Sequence, residues 1–156
     1  MFKKILVPWD GSTLAAKIWP QVEELAVTMQ AEVVLIMVGN TLISDPFGDS
    51  LPAGFGDFCA QLKTRAEKKL TTAVQSFGKG VKVLWVYKEG AAAAEIIAYA
   101  AENSCDLIVM ATHGSGDVAW VIGSVAEKVV RRATVPVLLL RVLESGRPSS
   151  KTRTGV

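Results

Sequence analysis

The feature that most constrains this chain is a set of five short apolar runs, each separated from the next by a segment of helical periodicity. The first is Lys4-Ile5-Leu6-Val7-Pro8, and the others occupy residues 32–38, 81–87, 106–110 and 135–141. They are too short for buried helices and rich in branched aliphatic residues, so they read as strands. The second, fourth and fifth are almost continuously hydrophobic, which calls for cover on both faces. Between them the spacing predicts four helices. Over residues 12–29, Leu14, Ile18, Val22, Leu25 and Met29 recur at three- and four-residue steps, with Ser12 as the N-cap. Over residues 57–77 the stripe is Leu62, Ala66, Leu70, Ala73 and Phe77. Over 92–102 it is Ile96, Ile97 and Ala100, and over 124–132 it is Val125, Val129 and Val130, with Arg131 and Arg132 in the last turn. Strand–helix alternation of this kind implies right-handed crossovers. The predicted class is therefore α/β: a three-layer, doubly wound, five-stranded parallel sheet with helices on both faces.

A chain of 156 residues suits one domain, and with half its residues hydrophobic it can build a core. The net charge is +2, and residues 144–156 alone hold three basic residues against Glu144. The rest is neutral, which argues against a nucleic-acid-binding face. The apolar run after Lys4 stops at Pro8, too short for a secretion signal, and no run is long enough to span a membrane. A cytoplasmic protein is expected. Cys59 and Cys105 lack metal-ligand spacing and read as buried small hydrophobes. The α/β domain is expected to cover residues 1–143. The polar tail, 144–156, is expected to be disordered. The connection over 39–56 is long enough to be either functional or an irregular surface excursion.

In open parallel sheets, ligands bind at the carboxyl ends of strands where the winding reverses. The first strand ends Pro8-Trp9-Asp10-Gly11-Ser12, and the fourth ends Met110-Ala111-Thr112-His113-Gly114-Ser115-Gly116, with Gly123-Ser124 opening the last helix. An aspartate past a strand end can accept hydrogen bonds from ribose hydroxyls or an adenine amino group. Glycines let backbone N–H groups approach phosphate oxygens. A helix that starts at Gly-Ser offers free N–H groups, a positive dipole end and a hydroxyl to an anion. Each feature also has a plain structural use, as a turn or a cap, and it is their joint occurrence that favours a nucleotide. The stretch from Gly114 to Ala119 fits a dinucleotide glycine pattern, but no acidic residue follows at the required distance, and the P-loop ending is absent. His113, the only histidine, has no nucleophile-elbow context and reads as a turn residue. The four tryptophans read as packing residues.

These strand ends resemble a known family. Residues 5–12, Ile-Leu-Val-Pro-Trp-Asp-Gly-Ser, are similar to the I-L-V-P-x-D-G-S opening of universal stress proteins. Residues 106–114 resemble their D-L-I-V-M-G-T-H-G, residues 123–129 their G-S-V-A-E-K-V, and residues 135–141 their last strand. The resemblance implies the strand order 3-2-1-4-5, which makes strands one and four neighbours. It also implies a frequent homodimer through the C-terminal strand, itself an edge that proteins tend to cover. Some members of the family bind ATP and others do not. By this resemblance Pro8, Asp10 and Val38 would line the base and ribose side of a site for ATP or another adenine nucleotide, with or without Mg2+. Met110, Ala111, Gly114, Gly123, Ser124 and Val125 would line the rest, and Gly116 would lend freedom to the loop. Two departures stand out. Ala111 replaces the first glycine of the phosphate motif, and eight residues rather than nine separate Gly114 from Gly123. The site motifs contain no strong catalytic base, no metal cluster and no arginine, so at most weak ATPase activity is expected. The departures leave open a member that binds no nucleotide and acts as a dimeric interaction module toward an unknown protein partner.

Overall fold

Five parallel strands form one sheet in the order β3-β2-β1-β4-β5 in the computed structural model, which describes residues 1–39, 54–112 and 122–142. Along the chain, β1 (Lys4–Pro8) is followed by α1 (Thr13–Ala16) and α2 (Trp19–Met29), then β2 (Glu32–Gly39) and α3 (Phe55–Gln75). β3 (Val83–Glu89), α4 (Ala92–Glu102), β4 (Leu107–Ala111), α5 (Ser124–Arg132) and β5 (Val137–Leu140) complete it. In the central register Ile5 pairs with Val33 on one side and Leu107 on the other, and Ile108 pairs with Val137.

The continuous hydrophobicity of β2 and β4 follows from two cores. Strand side chains alternate between faces. Ile5, Val7, Val33, Leu35, Leu107 and Val109 pack with Val22 and Ala26 of α2 and Leu70 and Ala73 of α3. Leu6, Val34, Ile36, Ile108 and Met110 pack on the other face with Ile96 and Ala100 of α4 and Ala126 and Val129 of α5. Each fully buried aliphatic side chain contributes about 1.5–3 kcal/mol relative to exposure.

Four local expectations are corrected. The first helix is broken: α1 ends at Ala16 and α2 starts at Trp19. Pro20 causes this, because inside a helix it would leave the Ala16 carbonyl without its donor and clash with it. The chain closes with the tight bonds Lys17 N–H to Leu14 O and Ile18 N–H to Ala15 O, and Pro20 then sits in the first turn of α2. Ile18 and Val22 are both buried, so the apolar stripe survives the break. On α3, Leu62 is exposed, and the buried stripe begins at Ala66. On α5, Ala126 and Val129 face inward while Val130 is exposed. β5 is covered less than its hydrophobicity suggested, with Leu138 at 38% exposure, because it forms one edge of the sheet.

Cys105 is buried as expected, but Cys59 is only partly so. Trp9 packs edge-on to Trp19 at 5.1 Å, and Trp19 meets Phe77 at 5.3 Å, so these two tryptophans are packing residues. Trp85 is half-exposed on the β3 edge. Among the described residues no helix is long and apolar enough to cross a membrane. Trp120, the tail and most of the long connection lie outside the described residues.

Candidate functional site

From β1 the chain crosses to β2 through α1 and α2 on one face of the sheet, and from β4 it crosses to β5 through α5 on the other. The winding therefore reverses between β1 and β4, and a crevice opens at their carboxyl ends. Its volume is about 320 Å3, within the range of small-molecule sites.

The β1 side is fixed by its turn. The Trp9 N–H donates to Ile36 O (2.9 Å), and the indole Nε1–H donates to Ser12 O (2.9 Å). Asp10 Oδ1 accepts the Ser12 N–H at 2.9 Å, and Ser12 Oγ accepts the Ala15 N–H at 3.1 Å, capping α1. Gly11 lies at φ +80°, a left-handed conformation that favours glycine. Lys69 Nζ, reaching across from α3, donates to the Gly11 carbonyl at 3.4 Å. The result is a rigid turn that holds the exposed Asp10 carboxylate at the rim.

The opposite side is the start of α5. Thr112 N–H donates to Leu140 O, and Gly123 N–H returns to Thr112 O, both at 2.9 Å, which ties the helix start to the end of β4. Gly123 caps α5 with no side-chain hydrogen bond. The N–H groups of Ser124, Val125 and Ala126 belong to the set that a helix cannot satisfy internally. They sit at its positive end, where the crevice lies.

The structure brings eight of the sequence-derived residues to this crevice: Pro8, Asp10, Val38, Met110, Ala111, Gly123, Ser124 and Val125. Gly114 and Gly116, like His113, lie outside the described residues. Ala111 is 9% exposed and belongs to the core cluster under α1, α2 and α3, so its methyl is packed among core residues even as the residue lines the crevice.

The sequence reading missed Trp9, Ala15 and Ile36 on the β1–β2 side, and Ala92, Ile96, Thr112 and Ala126 on the other. Gly90, at φ +141° before α4, marks a strand end followed by a helix start and was the available signal for Ala92. The others are indistinguishable from core residues in one dimension. At the amino end of the sheet, Glu32 and Asp106 are held below the usual carboxylate range by hydrogen bonds. Burial raises Tyr87, Tyr99 and Cys105. Among the described residues no group of three or more His, Cys, Asp or Glu could hold a metal ion.

The model of the universal stress protein family matches residues 1–141. The chain belongs to that family. It is 34% identical over 148 residues to the universal stress protein YxiE of Bacillus subtilis, covering 90% of this chain and all of that one. It is 31% identical over 144 residues to the universal stress protein MJ0531 of Methanocaldococcus jannaschii, covering 90% and 83%. The solved structure of MJ0577, from the same organism, superposes with a TM-score of 0.79 at 25% identity, covering 93% of this chain and 99% of that one. Two more distant family structures share the fold. One, from Archaeoglobus fulgidus, was solved in complex with dAMP (TM-score 0.65, 20% identity, covering 88% and 97%). The other was solved in complex with cAMP (TM-score 0.59, 18% identity, covering 91% and 98%).

Proposed function

We propose that this member of a stress-response family binds an adenine nucleotide in the crevice between β1 and β4. The observation that carries the reading is the pairing, across one crevice of about 320 Å3, of the Asp10 turn with the uncapped start of α5. Pro8, Ile36, Val38 and Met110 offer an apolar bed for a base. Asp10 offers an acceptor for hydroxyl or amino groups, and the first turn of α5 with the Ser124 hydroxyl offers donors to a phosphate. The family structures with dAMP and cAMP support adenine nucleotides as the ligand class. ATP is the form the motif resemblance favours, and any Mg2+ would be held by phosphates and water rather than by a protein cage. We read the protein as a cytoplasmic regulator that nucleotide occupancy switches, with at most weak hydrolysis. Calorimetric titration of ATP, with and without Mg2+, tests this. Micromolar affinity that drops in Asp10→Ala supports it, and no binding of ATP, ADP or AMP at millimolar concentration removes it.

A second element of the proposal is a homodimer through β5. That strand is an edge with Leu138 exposed, and a second copy would cover it. Light scattering should give a dimer mass at micromolar protein that falls to a monomer in Leu138→Glu. A monomer before substitution would contradict it. If nucleotide binding fails while the dimer persists, the protein reads instead as an interaction module.

A further inference from the structure

Building on the nucleotide reading, we infer that the crevice selects its ligand by phosphate charge: it takes an adenosine monophosphate without metal, and a triphosphate only when a divalent cation accompanies it. Among the described lining residues Asp10 is the one ionisable side chain, and none is lysine or arginine. The whole connection from Ala111 to Val125 holds one histidine, His113, and one acid, Asp117, and again no lysine or arginine. Among the described lining residues a triphosphate in this crevice therefore meets a carboxylate and no cationic side chain.

The positive potential comes from helix ends, and only one is well placed. The start of α5 is worth about half an elementary charge, and it acts within its first turn. That suits a single phosphate, which carries about −1.5 to −2 at neutral pH. α4 also starts at the crevice, with Ala92 on the lining and no side-chain cap at Ala91. Its positive end is already countered, because Glu95 in its first turn folds back over Gly90, with Oε1 2.9 Å from where a side chain would begin there. Glu127 adds a further carboxylate to the first turn of α5 and is paired with Arg131 at 3.1 Å. Lys69, the cation that reaches the Asp10 turn, is bound to the Gly11 carbonyl and does not line the crevice. The cavity volume, near the lower end for ligand sites, points the same way.

The test is a calorimetric titration of the full chain with adenosine, AMP, ADP and ATP, first in EDTA and then with excess Mg2+. In EDTA, AMP should bind about ten-fold or more tightly than ATP, since uncompensated charge beside a carboxylate is repelled at close range. Mg2+ should bring ATP to within a few-fold of AMP and leave AMP unmoved. ATP in EDTA binding as tightly as AMP, or more tightly, would overturn the inference while leaving the nucleotide reading intact. No binding of any of the four would end both. A Glu127→Lys variant, altered outside the lining, should raise metal-free ATP affinity several-fold and AMP affinity less, with melting measured alongside to confirm the fold. An equal gain for both ligands would count against discrimination by phosphate charge.

Discussion

The two ends of one sheet handle their polar groups in opposite ways. At the amino end, Glu32 of β2 sits between Lys82, just before β3, at 2.7 Å and Lys4 of β1 at 3.2 Å. Asp106, just before β4, accepts the N–H groups of Lys3 at 2.7 Å and Lys4 at 2.9 Å, which fixes β4 against β1. Hydrogen bonds hold both carboxylates below their usual range, and the bond to Glu32 holds Lys4 above its own. At the carboxyl end, α5 begins without a side-chain cap and the lining is mostly apolar. At the amino end the carboxylates are paired within the protein and stabilise the sheet. The carboxyl end keeps helix N–H groups aimed at a crevice. Substitutions should therefore separate, with affinity changing at one end and stability at the other.

The largest expected effect is at the carboxyl end. Asp10→Ala should weaken adenine nucleotide binding about 10- to 100-fold, the scale of a lost charge-assisted hydrogen bond. The melting temperature should move little, because the hydrogen bond that Asp10 Oδ1 accepts from the Ser12 N–H is solvent-exposed. A large loss of stability with unchanged affinity would erase the contrast between the ends.

The next effect is the mirror image. Asp106→Ala should cost about 1–2 kcal/mol at neutral pH, because two strand-start N–H groups lose their acceptor, with nucleotide affinity unchanged. The pH dependence has a definite sign. Both Asp106 and Glu32 are lowered in the folded state, so their stabilisation is complete above the ordinary carboxylate range, near pH 4, and is lost as pH falls through their lowered folded values. Denaturation followed by circular dichroism from pH 7 to pH 2 should show this loss in the parent and a shallower one in Asp106→Ala. Identical slopes would mean that Asp106 does not carry it.

A smaller effect separates the two carboxylates. Glu32→Gln removes contacts to partly exposed lysines, and such pairs are typically worth less than about 1 kcal/mol. Urea denaturation at pH 7 should rank it below Asp106→Ala, and the reverse order would make the lysine bridge, rather than the backbone clamp, the main fastening.

Much of this contrast was legible in the sequence, and unevenly so. The strands declared themselves because β-branched runs covered on both faces leave a continuous pattern, and the order followed from the family motifs. Pro20 was visible, yet the regular spacing of Ile18 and Val22 masked the helix break it imposes. Leu62 and Val130 fell on the apolar step but outside the buried stripe: Leu62 precedes Ala66, the first buried residue of α3, and Val130 lies about 100° around α5 from the buried Val129. The crevice was legible where it uses unusual residues, as at Asp10, Gly123 and Ser124. It was not legible at Ile36, Ile96 or Ala126, which are core residues in composition and become lining only because the winding reverses above them. The amino-end clamp was hidden for a related reason: Asp106 reads as part of a family motif, and its partners are backbone N–H groups more than a hundred residues away.

The smallest expected effect tests whether the rigid turn senses the ligand. Trp9 lines the crevice, is bonded through its indole to Ser12 O, and meets Trp19 edge-on. Trp19 in turn has its Nε1 buried without a hydrogen-bond partner, so its emission depends on packing rather than on a polar neighbour. Nucleotide binding should therefore change tryptophan emission modestly, through Trp9 directly and Trp19 by contact. Trp9→Phe keeps an aromatic ring but deletes the Ser12 bond, at a cost of about 1 kcal/mol. It should abolish most of the emission change while affinity falls by less than about ten-fold. If the signal persists undiminished, it originates at a tryptophan away from this turn, and the carboxyl end is then less rigidly coupled to its ligand than the Asp10 turn implies. If signal and affinity vanish together, the Trp9 ring contacts the nucleotide itself, and its place on the crevice lining is a binding contact rather than a wall.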